Sequence, residues 1–285
     1  MTGTNLPVDP RSFSNAAEKL VDTVRDIVHF IAGPDRVRAK TQAHAESEII
    51  LAKGRAAVQD IEARMIERLR NRETRRQRNI EAITEEALKS LPPPDQKIAD
   101  EPVSQDFVAR FFEECQDVGD KEMQVLWGKL LAGVIAQPGS FHPKTLRIVK
   151  DLTKDDANLF VELCRFGFLI ESFTVVIFKL TDDIYEKHSL TFDVLLHLDN
   201  LGLADFDDFS AFSILRLPQN FTIFYGNRRF NVTLPDGANT MSIGKVLLTD
   251  AGRQLASLTN TALIPEFPDY AISNWRNYGI VITPS

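Results

Sequence analysis

Cysteine is nearly missing from this sequence. Cys115 and Cys164 are the only two in 285 residues, each alone in an apolar context of helical spacing. With no CxxC pair and no disulfide framework, they read as buried small hydrophobes in a chain suited to a reducing, cytoplasmic compartment. Long apolar runs are missing too: none approaches the roughly 18 residues that cross a bilayer. The opening MTGTNLPVDPRSF has neither a basic stretch nor an apolar core, so no signal peptide is expected. The five histidines, at 29, 44, 142, 188 and 197, form no HxH, HExxH or HxxxH pair, and no metal site is expected from them. GxSxG, the Walker loop and GxGxxG are absent as well, so no serine elbow, phosphate cradle or cofactor is expected. The carboxylate runs Asp155-Asp156, Asp182-Asp183 and Asp207-Asp208 have the chemistry to ligate magnesium. Helix caps and solvated loops explain them more simply.

Negative charge predominates, with a formal net of −7, which argues against non-specific binding of nucleic acid or membrane by the whole surface. The balance is uneven. Arg36 to Lys89 holds thirteen basic and nine acidic residues, a net of +4, whereas Leu180 to the end holds seven basic and twelve acidic, a net of −5. An anionic partner should therefore meet the N-terminal half.

What is present is helical periodicity. In residues 13–32, Phe13, Ala17, Leu20, Val24, Ile27, Val28 and Ile31 share one face, and Gly33-Pro34 ends the pattern. The helix is expected to pack on its own protein; the competing reading lays it flat on a membrane surface, although its polar face mixes signs. Between Pro34 and Pro92 there is no proline. Val58, Ile61, Met65, Leu69, Ile80, Ile83 and Ala87 follow three-four spacing there, which predicts a long helical, coiled-coil-like arm over 35–91 with Gly54 as its weak point. LPPPDQ breaks it, placing a linker over 92–101.

Residues 102–179 read as a helical bundle. Its central helix, DKEMQVLWGKLLAGVIAQ, turns Met123, Leu126, Trp127, Leu130, Leu131, Val134 and Ile135 to one face. Gly128, Ala132 and Ala136 align in a second stripe where another helix packs closely, making Trp127 and this stripe the candidate packing interface. Asp120 and Thr153 are natural caps. Residues 180–285 change character: FDVLLHLDNLGLAD reads as a helix closed by Gly202. FTIFYGNRRFNVTL reads as a hairpin turning at Gly226-Asn227, with Ile223 opposite Phe230 and Phe221 opposite Val232. KVLLTDAGRQLASLTN adds a strand and a helix, and the tail NWRNYGIVITPS adds a strand or docks extended. Helix, hairpin, strand, helix predicts a winged-helix-like domain. The expected fold is thus mainly α: N-terminal amphipathic helix (1–34), helical arm, linker, central bundle and a C-terminal α+β winged-helix-like domain.

One charge feature stands out. RMIERLRNRETRRQR, residues 64–78, holds seven arginines against two glutamates. Arg64, Arg68, Arg72 and Arg76 step by four, with Arg75 and Arg78 beside them. Like charges at that spacing cost an isolated helix about 0.2–0.5 kcal/mol per pair. Asp60 relieves Arg64, but Arg68, Arg72 and Arg76 have no acid at i, i+4, so the helix needs an anion from elsewhere. The protein's own acidic half, a neighbouring subunit, nucleic-acid phosphate and an anionic membrane surface are the candidate partners. Arg228 and Arg229 sit at the hairpin tip, where a wing touches a phosphate backbone. The helix TFDVLLHLDNLGLAD is acidic and apolar, which argues against major-groove reading and for a protein-interaction module.

The block GDKEMQVLWGKLLAGVIAQPGSFHPKTLRIVKDLTKDDANLF, with Leu198, Leu201, Gly202 and Leu203 in an "L-x-x-L-G-L" pattern and Leu248, Thr249, Gly252 and Leu255 in "L-T-x-x-G-x-x-L", resembles an uncharacterised bacterial protein family. More loosely it is similar to the Abi-alpha type of abortive-infection protein. The resemblance covers about two thirds of the chain and brings no catalytic motif. It implies a cytoplasmic accessory or phage-defence protein. The expectation is a non-enzymatic homo-oligomer that assembles with protein partners through arm and bundle. A nucleic-acid-binding protein using the arginine helix and hairpin tip is the alternative, and a nuclease or hydrolase with a dispersed acidic site is the third reading.

Overall fold

With no proline to stop it, the chain from Glu48 to Ser90 forms one 43-residue helix, α1, in the computed structural model, and Gly54 does not interrupt it. The structure describes residues 19–20, 48–259 and 261–285. The chain divides into two compact units, Met1–Pro143 and Lys144–Ser285.

In the first unit α1 is followed by α2 (Gln105–Cys115) and α3 (Lys121–Ala136). Asp120 caps α3, accepting from the backbone N–H groups of Glu122 and Met123 at 2.9 and 3.0 Å. The C-terminal half of α1 buries Ile80, Ile83 and Ala87 against the same core as Phe111, Phe112, Trp127, Leu130 and Leu131. Gly128 makes that approach possible: a Cβ there would lie 2.6 Å from Glu86 Cβ and 2.9 Å from the Ala87 backbone nitrogen. The amphipathic helix read over 13–32 falls on described residues only at 19–20. There Leu20 is fully buried, and Lys19 Nζ donates to the carbonyls of Ala99 and Glu101. The rest of that helix, its Gly33-Pro34 end and the arm before Glu48 lie outside the described residues.

The second unit corrects the expected fold. Helix α4 (Pro143–Asp151) starts at the boundary and leads into it, followed by α5 (Lys154–Cys164), which is held by a Thr153–Asp156 capping box. A five-stranded antiparallel sheet follows, in the order β2-β1-β5-β6-β9, from β1 (Gly167–Ile170), β2 (Ser172–Val175), β5 (Asn220–Tyr225), β6 (Arg228–Thr233) and β9 (Val281–Pro284). Two smaller ladders pair β3 (Ala204–Phe206) with β8 (Val246–Leu248) and β4 (Phe212–Leu215) with β7 (Thr240–Gly244). Helices α6 (Asp183–Glu186), α7 (Phe192–Asn200), α8 (Asp250–Ala256) and α9 (Phe267–Arg276) complete the unit.

The chain is therefore not mainly α, and its end is not a winged helix. The hairpin β5-β6 has the expected register, Ile223 opposite Phe230 and Phe221 opposite Val232. It is no free wing, because β1 pairs along β5 and β9 along β6. The decisive segment is Phe166 to Val176, which the sequence places at the end of a helical bundle. A short apolar run rich in aromatic and β-branched residues has no period that separates a buried helix from a buried strand. Here Phe168 and Ile170 turn inward, Leu169 outward, and Glu171 at φ 58° turns β1 into β2. Phe166, Phe168, Tyr185, Tyr225, Phe267 and Trp275 then form an aromatic core.

Candidate functional site

The outer half of α1 is built differently from the half that is packed. Positions 58, 61, 65, 69, 72, 76, 80, 83 and 87 step 3-4-4 twice and then 3-4. An eleven-residue repeat stays close to the pitch of a straight helix, so these positions keep to one face. At its C-terminal end that face is buried through Ile80, Ile83 and Ala87. Towards the N-terminus it is exposed. Val58, Ile61, Met65, Ile66 and Leu69 are between 41% (Leu69) and 58% (Ile66) exposed. Every residue from Val58 to Arg75 is exposed, so the helix extends roughly 25 Å beyond its packed half at 1.5 Å per residue.

The arginines divide along the same line. Arg76 grips Asp117 through Nε (3.0 Å) and Nη2 (2.7 Å), and Arg75 reaches the same carboxylate at 3.2 Å. The anion this helix needs at its packed end is thus Asp117, beyond α2, a partner no local spacing reveals. Arg64 pairs with Asp60 at 3.2 Å and Arg72 with its neighbour Glu73 at 3.0 Å. Arg68, Arg70 and Arg78 have no ion pair among the described residues.

Hydrogen bonding from Arg76, aided by Arg75, holds the Asp117 carboxyl below its ordinary value of 3.8. A depressed folded value means the pair stabilises fully above the unfolded carboxylate value and is lost as pH falls through the folded one. Half-exposed pairs are screened, so a double-mutant cycle of Arg76→Ala and Asp117→Ala should return about 0.2–1 kcal/mol at neutral pH. The coupling should vanish in acid. A coupling that is unchanged in acid would refute this assignment.

The other predicted positions fall elsewhere. Trp127 and Ala132 are buried, Ala136 is half-buried, and Gly128 is in contact with α1 of the same chain. Arg228 and Arg229, in the second unit, are exposed. Arg228 lies over the Phe230 ring at 5.2 Å and 3.5 Å from Asp269. Burial pushes both thiols up, that of Cys164 to about 12, which keeps them protonated at neutral pH.

Two polar clusters escaped the sequence reading because their members are far apart in the chain. His197 Nε2 is 2.6 Å from Asp156 Oδ1, and Arg165 Nη1 reaches both Glu162 Oε2 (2.8 Å) and His188 Nδ1 (3.2 Å). Burial opposes ionisation of Asp156, yet hydrogen bonds from His197 and Thr153 keep its carboxyl below the usual range. Both clusters brace the ends of α5. Asp207 accepts from the backbone of Phe209 and Ser210, and Asp182 accepts from the Tyr270 hydroxyl at 2.6 Å. Among the described residues no three His, Cys, Asp or Glu side chains gather as a metal site. An open cavity of about 560 Å³ beside β1 and β5 is lined mainly by Leu169, Phe173, Phe224 and Leu263, with no charged side chain on its wall. Among the described residues, no helix is long and apolar enough to cross a membrane. The exposed basic and apolar arm is what remains as a candidate site.

No match is found among curated proteins or among solved structures. Residues 63–271, running from the arm through both units, match the family model described as a protein of unknown function, DUF2806, and the chain belongs to that family.

Proposed function

We propose that this chain is a non-enzymatic assembly protein of the cytoplasm that self-associates through the outer half of α1. The observation that carries this reading is the continuation of one helix face from a buried seam into water, through Leu69, Met65, Ile61 and Val58. Such a side chain gains roughly 1.5–3 kcal/mol on full removal from water, so a row of them on a projecting helix favours a partner. Within the small-residue stripe of α3, Gly128 is covered by α1 of the same chain and Ala132 is buried, which favours the arm as the surface for assembly. The resemblance to abortive-infection proteins supports a role for such an assembly in phage defence.

The test is size-exclusion chromatography with light scattering at tens of micromolar, at low and high salt, following absorbance at 260 and 280 nm. A defined oligomer is expected, reduced to monomer by Ile61→Gln, Met65→Gln and Leu69→Gln together. Glutamine retains the helical propensity, so the loss would report the face and not the helix. A monomeric wild type would end this reading. Nucleic acid that coelutes at low salt and leaves at high salt would replace it with binding of phosphate by the arginines.

A further inference from the structure

The second unit carries one surface whose chemistry complements the arm. On α7, Phe192 and Leu196 are four residues apart and both exposed, so they share an outward face. Phe192 meets Phe206 of β3 edge-on, with centroids 5.3 Å apart, and the Phe206 backbone N–H donates to Asp199. Three residues further on, Phe209 stands at the loop tip with 99% of its surface in water, its backbone held by Asp207. Between Thr191 and Ser210 there are five aspartates and no lysine or arginine. Lys245 reaches in to the Asp208 carbonyl at 2.6 Å. Asp193, Asp205 and Asp208 are exposed and have no ion pair among the described residues.

We infer that this acidic, apolar face of α7, β3 and the following loop is the docking surface for the α1 arm of a second copy of the chain. The inference rests on the proposed self-association and names the surface the arm meets. The arm offers Ile61, Met65 and Leu69 with Arg68 and Arg70 unpaired. The face offers Phe192, Leu196 and Phe209 with Asp193, Asp205 and Asp208 unpaired. A side-by-side pair of arms in parallel would instead set two stretches of net +5 against each other, and like charges in contact disfavour a pairing. Aromatic and arginine side chains are the usual anchors of interfaces, and here the face supplies the aromatics and the arm the arginines. The contact is heterologous, arm to face, so each copy has one of each to offer and assembly proceeds into a ring or chain.

The experiment uses three variants of the full chain, the arm variant above and two face variants, the first Phe192→Gln with Phe209→Ser, each followed by light scattering alone and with arm and face variants mixed. Both changes are to exposed side chains, and an unshifted melting temperature checks that the face variant is folded. Asp205→Lys with Asp208→Lys is the second face variant, altering charge without removing an aromatic. Each variant alone should associate at least about tenfold more weakly than wild type, the loss of one buried anchor. Mixed one to one, the intact arm of the face variant should seat on the intact face of the arm variant and give a heterodimer that grows no further. Wild-type association by both face variants would overturn the inference while leaving self-association through the arm intact. Two monomeric variants that fail to form a heterodimer, or arginine-dependent coelution of nucleic acid, would overturn it as well. Wild-type mass in the arm variant would overturn the underlying reading itself.

Discussion

Phe267→Ala is expected to lower the stability of the second unit by about 3–5 kcal/mol, the range for removing a fully buried phenyl ring. Phe267 has no exposed surface and opens α9 with Pro268 behind it. Its ring meets Phe166 edge-on at 4.9 Å and lies within 6.4 Å of Phe168, Tyr185, Tyr225 and Tyr270. These neighbours come from the segment after α5, from β1, α6, β5 and α9 itself. Loss of the ring therefore opens a cavity where several elements converge, and no one of them fills it by a rotamer change. Three of the neighbours are tyrosines, and the hydroxyls of two of them are committed to backbone groups. Tyr185 accepts from the Phe178 N–H and donates to the Val176 carbonyl, and Tyr225 accepts from the Ile264 N–H. Collapse into the hole would break those bonds. The measurement is urea unfolding by tryptophan fluorescence in a Trp127→Phe background, where Trp275 alone reports on the second unit. A loss below 1 kcal/mol would mean that the cluster is not the keystone of this unit.

Gly252→Ala should be destabilising by about 1–3 kcal/mol, the cost of overpacking, although alanine in a helix normally gains up to about 1 kcal/mol over glycine. Gly252 lies in the first turn of α8, its N–H bonded to the Thr249 hydroxyl at 3.0 Å. A Cβ there would come within 1.9 Å of the Leu203 carbonyl oxygen. That carbonyl already accepts from the Thr249 N–H, and the Thr249 hydroxyl donates to the Gly202 carbonyl at 2.7 Å. Backbone on both sides leaves nothing flexible to move aside. Gly119→Ala is the control, since nothing lies within 4 Å of a Cβ there and its φ is not positive. It should change stability by less than about 0.5 kcal/mol or raise it. Equal melting temperatures for the two variants, by circular dichroism, would refute the close approach.

The same joint accounts for two of the motifs that carried the family resemblance. Leu198, Leu201, Gly202 and Leu203 end α7, while Leu248, Thr249, Gly252 and Leu255 start α8. The two meet at Gly202, Leu203, Thr249 and Gly252. They form a packing joint in which glycine is needed because a carbonyl sits where a Cβ would be. The third, the block around Trp127, is likewise a packing helix, with Gly128 against the α1 backbone.

Local signals determined much of this protein before any folding. The prolines after Leu91 set the C-terminal end of α1, the side chains of Asp120, Thr153 and Thr249 set three helix starts, and the Gly226-Asn227 turn set the register of β5 against β6, because each acts over a few residues. The apolar and arginine pattern of the arm was legible for the same reason. What tertiary structure alone decided is where each pattern is satisfied. Phe166 to Val176 became strands because β5 offered an unpaired edge, and β9 closed the far side of the sheet across some fifty residues of intervening chain. Asp117 became the anion for Arg75 and Arg76, 42 and 41 positions away in sequence, and the face that buries Ile80 was left in water at Met65. Periodicity tells which residues share a face; only the packed chain decides whether anything covers it.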